Sequence, residues 1–258
     1  MDDLPGLFDV GLLLGVGLVS GFLSGIIGMG GALLLVPALA FIVGMPFKLA
    51  TGTASLHGLA VGLFGYLVHG RFGTVDVRVG LAGGAGSVVG GIVGALISGY
   101  LDAAGVQVVY LGAVVLSLVL LLVPVSTAPA GPSGRVSHAD AKATGLGALS
   151  GVVAGNIGAG GNFMLIPLSR WALKMPIHRA IGTSMLISIF SAIAATGGKA
   201  LLGQIPWMQA LLVVTGSALG TIFGARMTRR IPARILRGVL IAMLLLLLAR
   251  TSADLLFR

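Results

Sequence analysis

The chain has 258 residues, of which 57% are hydrophobic and only 9% are charged. A soluble domain carries roughly 25% charged residues, so this composition excludes an ordinary soluble protein. The formal charge of +9 would suggest nucleic acid as the partner of a soluble chain, but lysines and arginines that flank membrane spans explain it here. We therefore expect the lipid bilayer, and no nucleic acid, as a partner. The chain has no cysteine, which excludes disulfides and thiolate metal sites.

Eight apolar stretches follow one another along the chain, several of them with the roughly 20 residues that a helix needs to cross a bilayer. They lie at residues 7–43, 49–68, 79–100, 104–124, 143–169, 180–198, 207–225 and 235–250. The opening residues, MDDLPGLFDV, lack the basic region of a cleaved signal peptide. The sequence thus predicts an all-α, polytopic, multi-pass membrane protein.

A glycine cluster interrupts the first apolar stretch, and the same pattern returns 130 residues later. The segment GIIGMGGALLLVP (25–37) aligns without a gap with GNIGAGGNFMLIP (155–167). Exposed backbone is costly in lipid unless it lines a protein cavity. We therefore interpret the clusters as breaks in two helices that face one polar site near the middle of the bilayer, with a new helix starting at Ala32 and at Asn162.

The rest of the chain repeats at the same offset. A polar interval at residues 126–143, rich in Pro, Gly and Ser, is typical of a linker. We predict one transmembrane repeat at 1–125, this linker at 126–143, and a second repeat at 144–258. Small residues at every fourth position in GGAGSVVGGIVG and GSALGTIFG predict helices packed backbone to backbone. The matching pairs include Pro46 and Pro176, Thr53 and Thr183, Gly73 and Gly203, Gly86 and Gly216, and Gly90 and Gly220.

The distribution of basic residues favours inverted repeats. If each glycine-bearing segment enters the membrane and returns to the same side, each repeat has a broken or re-entrant first helix plus three spanning helices. Twelve Lys and Arg residues then face the cytoplasm and four face outward, against nine and seven for parallel repeats. The positive-inside rule prefers the first division, which also places the N-terminus outside. The number of full crossings is left open.

The breaks and their polar neighbours are the candidate substrate-binding residues. A free helix N-terminus offers unpaired N–H groups and about half a positive charge, which suits an anion. Hydroxyls and amides can add hydrogen bonds at less desolvation cost than a buried charge. The candidates are Gly28, Met29, Gly30, Gly31, Thr53, Ser55 and His57 in the first repeat, and Asn156, Gly158, Gly160, Gly161, Asn162, Thr183 and Ser184 in the second.

A structural role is open for each candidate. Glycines can kink and pack helices, Ser and Thr can bond back to their own helix, and Asn can bridge helices. His57 has no counterpart, because Ile187 occupies the equivalent position; its imidazole would either couple transport to protons or pack as a neutral ring. Lys199, at the end of a span, would either snorkel to the interface or attract anions to a vestibule. The arginine run at 226–237 is interpreted as a topology determinant.

Carboxylates are missing from the middle of the apolar stretches, since Asp9, Asp76 and Asp102 fall at or beside stretch ends. Cation pathways usually place carboxylates within the membrane, so their absence favours an anion or a neutral substrate. The sequence also lacks a Walker loop, an HExxH motif and a nucleophile elbow. We therefore predict no enzymatic activity, no cofactor and no metal site.

The paired GxxGxGG…P segments, each followed by an MP and a GT dipeptide (45–46 with 52–53, and 175–176 with 182–183), resemble the TauE/SafE sulfite exporter family. The resemblance covers about residues 11 to 249. It implies movement of sulfite or a related anion, such as a sulfonate or sulfoacetate, across a bacterial inner membrane. It also implies a role for the motif residues Gly28, Gly30, Gly31, Thr53, Gly158, Gly160, Gly161 and Thr183.

The leading hypothesis is a secondary transporter that moves a small anion by alternating access between its two repeats. Two alternatives stay open: a passive anion channel, and a membrane scaffold or assembly factor that moves nothing. An integral-membrane enzyme is a more distant fourth. The sequence leaves open the anion, the direction of flux, coupling to protons or other ions, and homo-oligomerisation.

Overall fold

The computed structural model describes residues 7–28, 32–123, 136–158 and 162–256, and within these ranges the chain is all helical. Six helices, α1, α3, α4, α5, α8 and α9, are long and apolar enough to cross a membrane, which confirms the predicted all-α polytopic membrane protein. The ten helices are α1 (Leu7–Ile27), α2 (Ala32–Phe41), α3 (Phe47–Arg71), α4 (Val77–Tyr100), α5 (Ala103–Leu122), α6 (Val136–Ile157), α7 (Asn162–Ala172), α8 (Ile177–Leu201), α9 (Trp207–Thr228) and α10 (Ala233–Leu256).

Local sequence signals set several helix boundaries. Asp76 precedes α4 and accepts a hydrogen bond from the amide of Val79 at 3.2 Å, and Asp102 caps α5 by accepting from Gly105 at 2.7 Å. An aspartate at this position satisfies an otherwise unpaired N–H group. The two aspartates therefore start helices and do not line the interior.

Helix α6 starts inside the predicted linker, and the division into two repeats and a linker stays a prediction. Helix α6 begins at Val136, so the last part of the interval 126–143 is helical and belongs to the first helix of the second half. The polar face of this part pairs with α4, because Asp140 accepts hydrogen bonds from the guanidinium of Arg78, the shorter at 2.7 Å. Residues 124–135 lie outside the described residues.

Glycines bring two helix pairs into backbone contact, as the small-residue patterns predict. A Cβ atom on Gly86 or Gly90 of α4 would overlap a carbonyl oxygen of α6, from Thr144 or Ala148. The pair α1 and α9 packs in the same way. There, a Cβ on Gly216, Gly220 or Gly224 would overlap the carbonyls of Leu14, Leu18 and Phe22. The predicted packing role of these glycines is confirmed.

Helices α3 and α8 pack in opposite directions at the centre of the bundle. Gly62 lies against Ser188, whereas Gly65, further along α3, lies against Met185, which comes earlier in α8. The two helices hold the same place in the two predicted repeats. Their antiparallel packing therefore supports the predicted inversion.

Helices α1 and α3 point the same way, because both run parallel to α9. The chain must therefore return between them, and α2 is the segment that does so. In the second half, α6 and α8 both run parallel to α4, so they point the same way. The chain returns between them through α7. This course agrees with a first helix that enters and returns to the same side. The contacts that give the first set of directions are Gly17 with Val213, Gly21 with Ser217, Gly52 with Gln204, and His57 with Ser217.

Inversion can be tested with single cysteines, because the chain contains none of its own. Tyr100 is 93% exposed at the end of α4, and Arg230 is the exposed residue 130 positions later. For inverted repeats, we expect Tyr100→Cys to react with a membrane-impermeant maleimide on intact cells and Arg230→Cys to react only after permeabilisation. Labelling of both cysteines from the same side would contradict inversion.

Candidate functional site

Both predicted breaks begin at a glycine with a left-handed backbone. Gly28 has a φ of 78° and Gly158 a φ of 70°, a region that favours glycine because other residues clash there. Each donates a 2.7 Å hydrogen bond back into the helix that it ends. New helices begin at Ala32 and Asn162, as predicted. The candidates Met29, Gly30, Gly31, Gly160 and Gly161 lie outside the described residues.

Each break packs against the equivalent residue of the opposite half. A Cβ atom on Gly158 would overlap the carbonyl oxygen of Thr51 and lie 3.2 Å from the amide of Ser55. A Cβ on Gly28 would come within 2.6 Å of the side chain of Ile181. Thr51 and Ile181 are 130 residues apart, so the same contact occurs twice.

The two breaks lie at opposite ends of the bundle. Thr51 and Ile181 each lie near the start of their helix, and these helices are antiparallel. His69, on the other end of α3, lies close to Gly25 at the end of α1. At 1.5 Å per residue, Thr51 and His69 are about 27 Å apart along α3. The expectation that both helix ends face one site near mid-membrane is therefore not met by the described residues, because α1 and α6 span the bundle before they break.

At the end that holds Gly158, a lysine is fully buried. Lys199 has 0% exposure, and its ammonium donates hydrogen bonds to the Ser98 hydroxyl at 2.5 Å, the Gln204 side-chain oxygen at 2.9 Å and the Thr51 hydroxyl at 3.3 Å. The hydroxyl of Thr51 donates a hydrogen bond to the carbonyl of Lys48 at 2.7 Å. All three partners of the ammonium are neutral.

At the opposite end, the equivalent residues form a different cluster. His69 occupies the place of Lys199, and its Nδ1 lies 3.2 Å from the hydroxyl of Thr74, which stands where the other half has Gln204. Thr228, equivalent to Ser98, donates at 3.0 Å to the carbonyls of Gly25 and Ile26. The two ends therefore share a scaffold but differ in chemistry, with an ammonium at one and an imidazole at the other.

His57 lies between the two ends and is fully buried. Its Nδ1 is 2.5 Å from the hydroxyl of Ser217, and that hydroxyl donates a hydrogen bond to the carbonyl of Val213 at 2.6 Å. Nδ1 must then carry a proton and donate it, which leaves Nε2 as the other ring nitrogen. Among the described residues, Nε2 has no hydrogen-bond partner.

The remaining hydroxyl candidates are spread over both ends, and two of the four make local bonds. Ser55 and Ser184 donate to carbonyls three residues back, and Thr183 accepts from the amide of Asp76 at 2.9 Å. Thr53 lies 3.7 Å from the sulfur of Met45. These bonds fit the structural roles that hydroxyls have within helices.

The two asparagines beside the second break are both buried. Asn162 is the first residue of α7, and Asn156 lies in the last turn of α6 with a side-chain oxygen that has no partner among the described residues. The structure thus groups Ser55 and Gly158 at the Lys199 end. Thr183 and Gly28 lie at the other end.

Sequence reasoning did not assign the cluster around Lys199 as a site. It treated Lys199 as a residue that either snorkels or forms a vestibule, and it did not single out Ser98 or Gln204. One signal was available, because Ser98 and Gln204 stand 130 residues from Thr228 and Thr74. Both pairs of equivalent positions are therefore polar in each of the two predicted repeats.

A basic cavity of about 440 Å³ lies at the His69 end of the bundle. It is lined by Phe72 and by Arg226, Arg229 and Arg230. The guanidinium of Arg229 stacks on the Phe72 ring at 4.7 Å, which is a cation–π geometry. An arginine-lined opening raises the local concentration of anions.

Comparisons with known proteins give one family and several relatives that are named as probable membrane transporters. The family model for Sulfite exporter TauE/SafE matches residues 13–251. The chain is 27% identical to "Probable membrane transporter protein YunE" of Bacillus subtilis, over 89% of this chain and 94% of that protein, and 29% identical to its "Probable membrane transporter protein YdhB", over 85% and 91%. A "Probable membrane transporter protein" of Xylella fastidiosa is 28% identical over 94% and 96%. No solved structure matches the chain significantly.

The contact between Gly158 and Thr51 can be tested against a matched glycine. Gly44 has a similar φ of 75°, but a Cβ there would meet nothing within 4 Å. We expect Gly44→Ala to cost about 1 kcal/mol of backbone strain. Gly158→Ala should cost this and a further 1–3 kcal/mol or so for overpacking.

Thermal unfolding of the two purified variants in detergent measures the difference. Equal unfolding temperatures would show that the second break does not press on α3. A lower temperature for Gly158→Ala alone would support the contact.

Proposed function

The chain belongs to the TauE/SafE sulfite exporter family and is a membrane transporter; we propose that it moves a small anion, sulfite or an organosulfonate, across the cytoplasmic membrane by alternating access. The family match covers most of the chain. The similarity to relatives that are named as probable membrane transporters extends over nearly the full length of those relatives. This relationship supports transport as the activity. The charge of the substrate is argued from the interior of the bundle.

The observation that carries the proposal is the character of the buried polar groups. In the described ranges, the buried polar side chains are serines, threonines, histidines, asparagines, glutamines and one lysine, with no aspartate or glutamate. A cation inside such a protein would find no opposite charge, whereas an anion would find hydroxyls, imidazoles and an ammonium. The interior therefore favours an anion over a cation.

The path of the anion follows the contact between α3 and α8. Lys199 lies at one end of this contact and His69 at the other, and His57 lies part of the way along α3, bonded to Ser217 of α9. Gly62 and Gly65 keep the middle of the contact narrow, since a Cβ at either would press on α8. The anion would exchange its hydration shell for polar side chains at one end and regain water at the other.

The paired breaks support alternating access. In inverted repeats, a conformation that opens one end is matched by an equivalent conformation that opens the other. Gly158 touches α3 and Gly28 touches α8 at equivalent positions. Movement of each break against the opposite half would open the two ends in turn. The ring of His57 supplies a titratable group beside the path for coupling to protons.

Transport by the purified protein in proteoliposomes tests the proposal. The panel is sulfite, sulfate, thiosulfate, sulfoacetate, taurine, acetate and chloride, with protein-free liposomes as the control. We expect saturable uptake of one sulfur oxyanion, and faster uptake when the same anion is preloaded inside. Preloading accelerates uptake only when a binding site returns across the membrane, so the result would support alternating access.

Other outcomes point to the alternatives. Uptake without saturation and without acceleration by preloading would indicate a passive channel. No uptake of any anion, from a preparation that remains folded, would contradict transport of these anions and favour a scaffold or assembly factor. For proton coupling, a pH gradient should drive uptake by the native protein and fail to drive it with His57→Gln.

A further inference from the structure

Lys199 is a buried positive charge without a negative partner. Its ammonium has 0% exposure and bonds only to neutral oxygens. Among the side chains that the structure describes, no carboxylate lies within 4 Å of it. An ammonium away from water is costly unless an opposite charge compensates it. The hydrogen bonds of Lys199 are therefore satisfied, but its charge is not.

The surrounding backbone prevents this lysine from reaching the membrane surface. Gly198 lies so close to α4 that a Cβ there would overlap the side chain of Ala95. After α8, the chain folds back, and the amide of Gln204 donates to the carbonyl of Lys199 at 2.9 Å. The Gln204 side chain is itself buried and covers the amine. The lysine is thus held inside, although a lysine two residues before the end of a spanning helix would ordinarily snorkel to the interface.

A second cation increases the positive charge of this region. Lys48, at the start of α3, lies close enough to Lys199 for the two charges to repel each other. Its carbonyl accepts a hydrogen bond from the hydroxyl of Thr51. Two like charges near each other repel, and a bound anion would relieve both the repulsion and the unpaired charge. The equivalent residues at the other end are His69 and His178.

We propose that Lys199, Thr51, Ser98 and Gln204 form the binding site for a small oxyanion at the Gly158 end of the path. The proposal rests on the proposed function, because it assigns a site to the transported anion. An oxygen of the anion replaces Thr51 as a hydrogen-bond acceptor of the ammonium, because the bond to Thr51 is the longest of the three, at 3.3 Å. The hydroxyls of Thr51 and Ser98 then turn their protons toward the other oxygens.

The same site is connected to the second break. Gly158 lies on the carbonyl of Thr51 and near the amide of Ser55, so an anion that displaces Thr51 acts on the turn of α3 that carries the break. An oxyanion with several acceptor oxygens can bond the ammonium and both hydroxyls at once. Chloride offers a single centre and should bind more weakly.

Binding of sulfite and of sulfoacetate to the purified full-length protein tests the site. Lys199→Met removes the charge, and Lys142→Met removes an exposed lysine of α6 as the matched control. We expect the dissociation constant to rise at least tenfold in Lys199→Met, to stay within a few-fold in Lys199→Arg, and to be unchanged in Lys142→Met. Isothermal titration measures each value.

Gln204→Glu provides a second variant that keeps the shape of the site. The new carboxylate lies beside the ammonium and takes the place of the anion's charge. We expect a higher unfolding temperature together with at least a tenfold weaker binding of the anion. A purely structural role for Lys199 predicts the same stabilisation with unchanged binding, so this variant decides the question if Lys199→Met does not fold.

The failures of the two proposals can be told apart. If the native protein binds and transports sulfite and both Gln204→Glu and Lys199→Met bind it with unchanged affinity, the site is wrong and the transport function stands. If the native protein neither binds nor transports any anion of the panel, the proposed function fails and the site fails with it.

Discussion

The antiparallel contact between α3 and α8 determines where the polar groups of this protein lie. Its closeness depends on two glycines: a Cβ on Gly62 would lie 2.6 Å from the hydroxyl of Ser188, and one on Gly65 would lie 2.7 Å from the sulfur of Met185. Because the helices run in opposite directions, the start of each meets the end of the other. Thr51 thereby meets Lys199, and each break packs near one end of this contact.

The duplicated scaffold carries different side chains at its two ends. One end has Lys199 with hydroxyl and amide partners, and the other has His69 with threonines and an arginine-lined cavity nearby. A symmetrical pair of sites would bind an anion equally on both sides of the membrane. A lysine amine at one end and an imidazole at the other make the two ends chemically different, so binding of the anion would differ between the two sides of the membrane.

Much of the fold follows from short-range signals in the sequence. Glycine clusters predict the breaks because only glycine adopts the left-handed backbone of Gly28 and Gly158 without strain. Two aspartates at the ends of apolar stretches cap α4 and α5, and small residues at every fourth position predict the close helix pairs. Each of these features depends on residues within a few positions of one another.

The arrangement of the site was harder to predict, because it depends on tertiary packing. The apolar stretch at 7–43 does not reveal that α1 crosses the bundle before it breaks, nor that Gly158 packs at the Thr51 end of α3 and Gly28 at the opposite end of the bundle. The burial of Lys199 depends on Gly198 meeting Ala95 and on Gln204 folding back over the amine. Sequence position alone suggests a lysine that snorkels.

Anomalous diffraction from crystals grown with 2-bromoethanesulfonate would locate the anion most directly. We expect a bromine peak beside Lys199 and Ser98, next to the turn of α3 that Gly158 touches, at a concentration that saturates binding in solution. A peak confined to the cavity of Phe72 and the arginines, or to the His69 end, would contradict the assignment of the site. The absence of a peak under the same saturating conditions would contradict it as well.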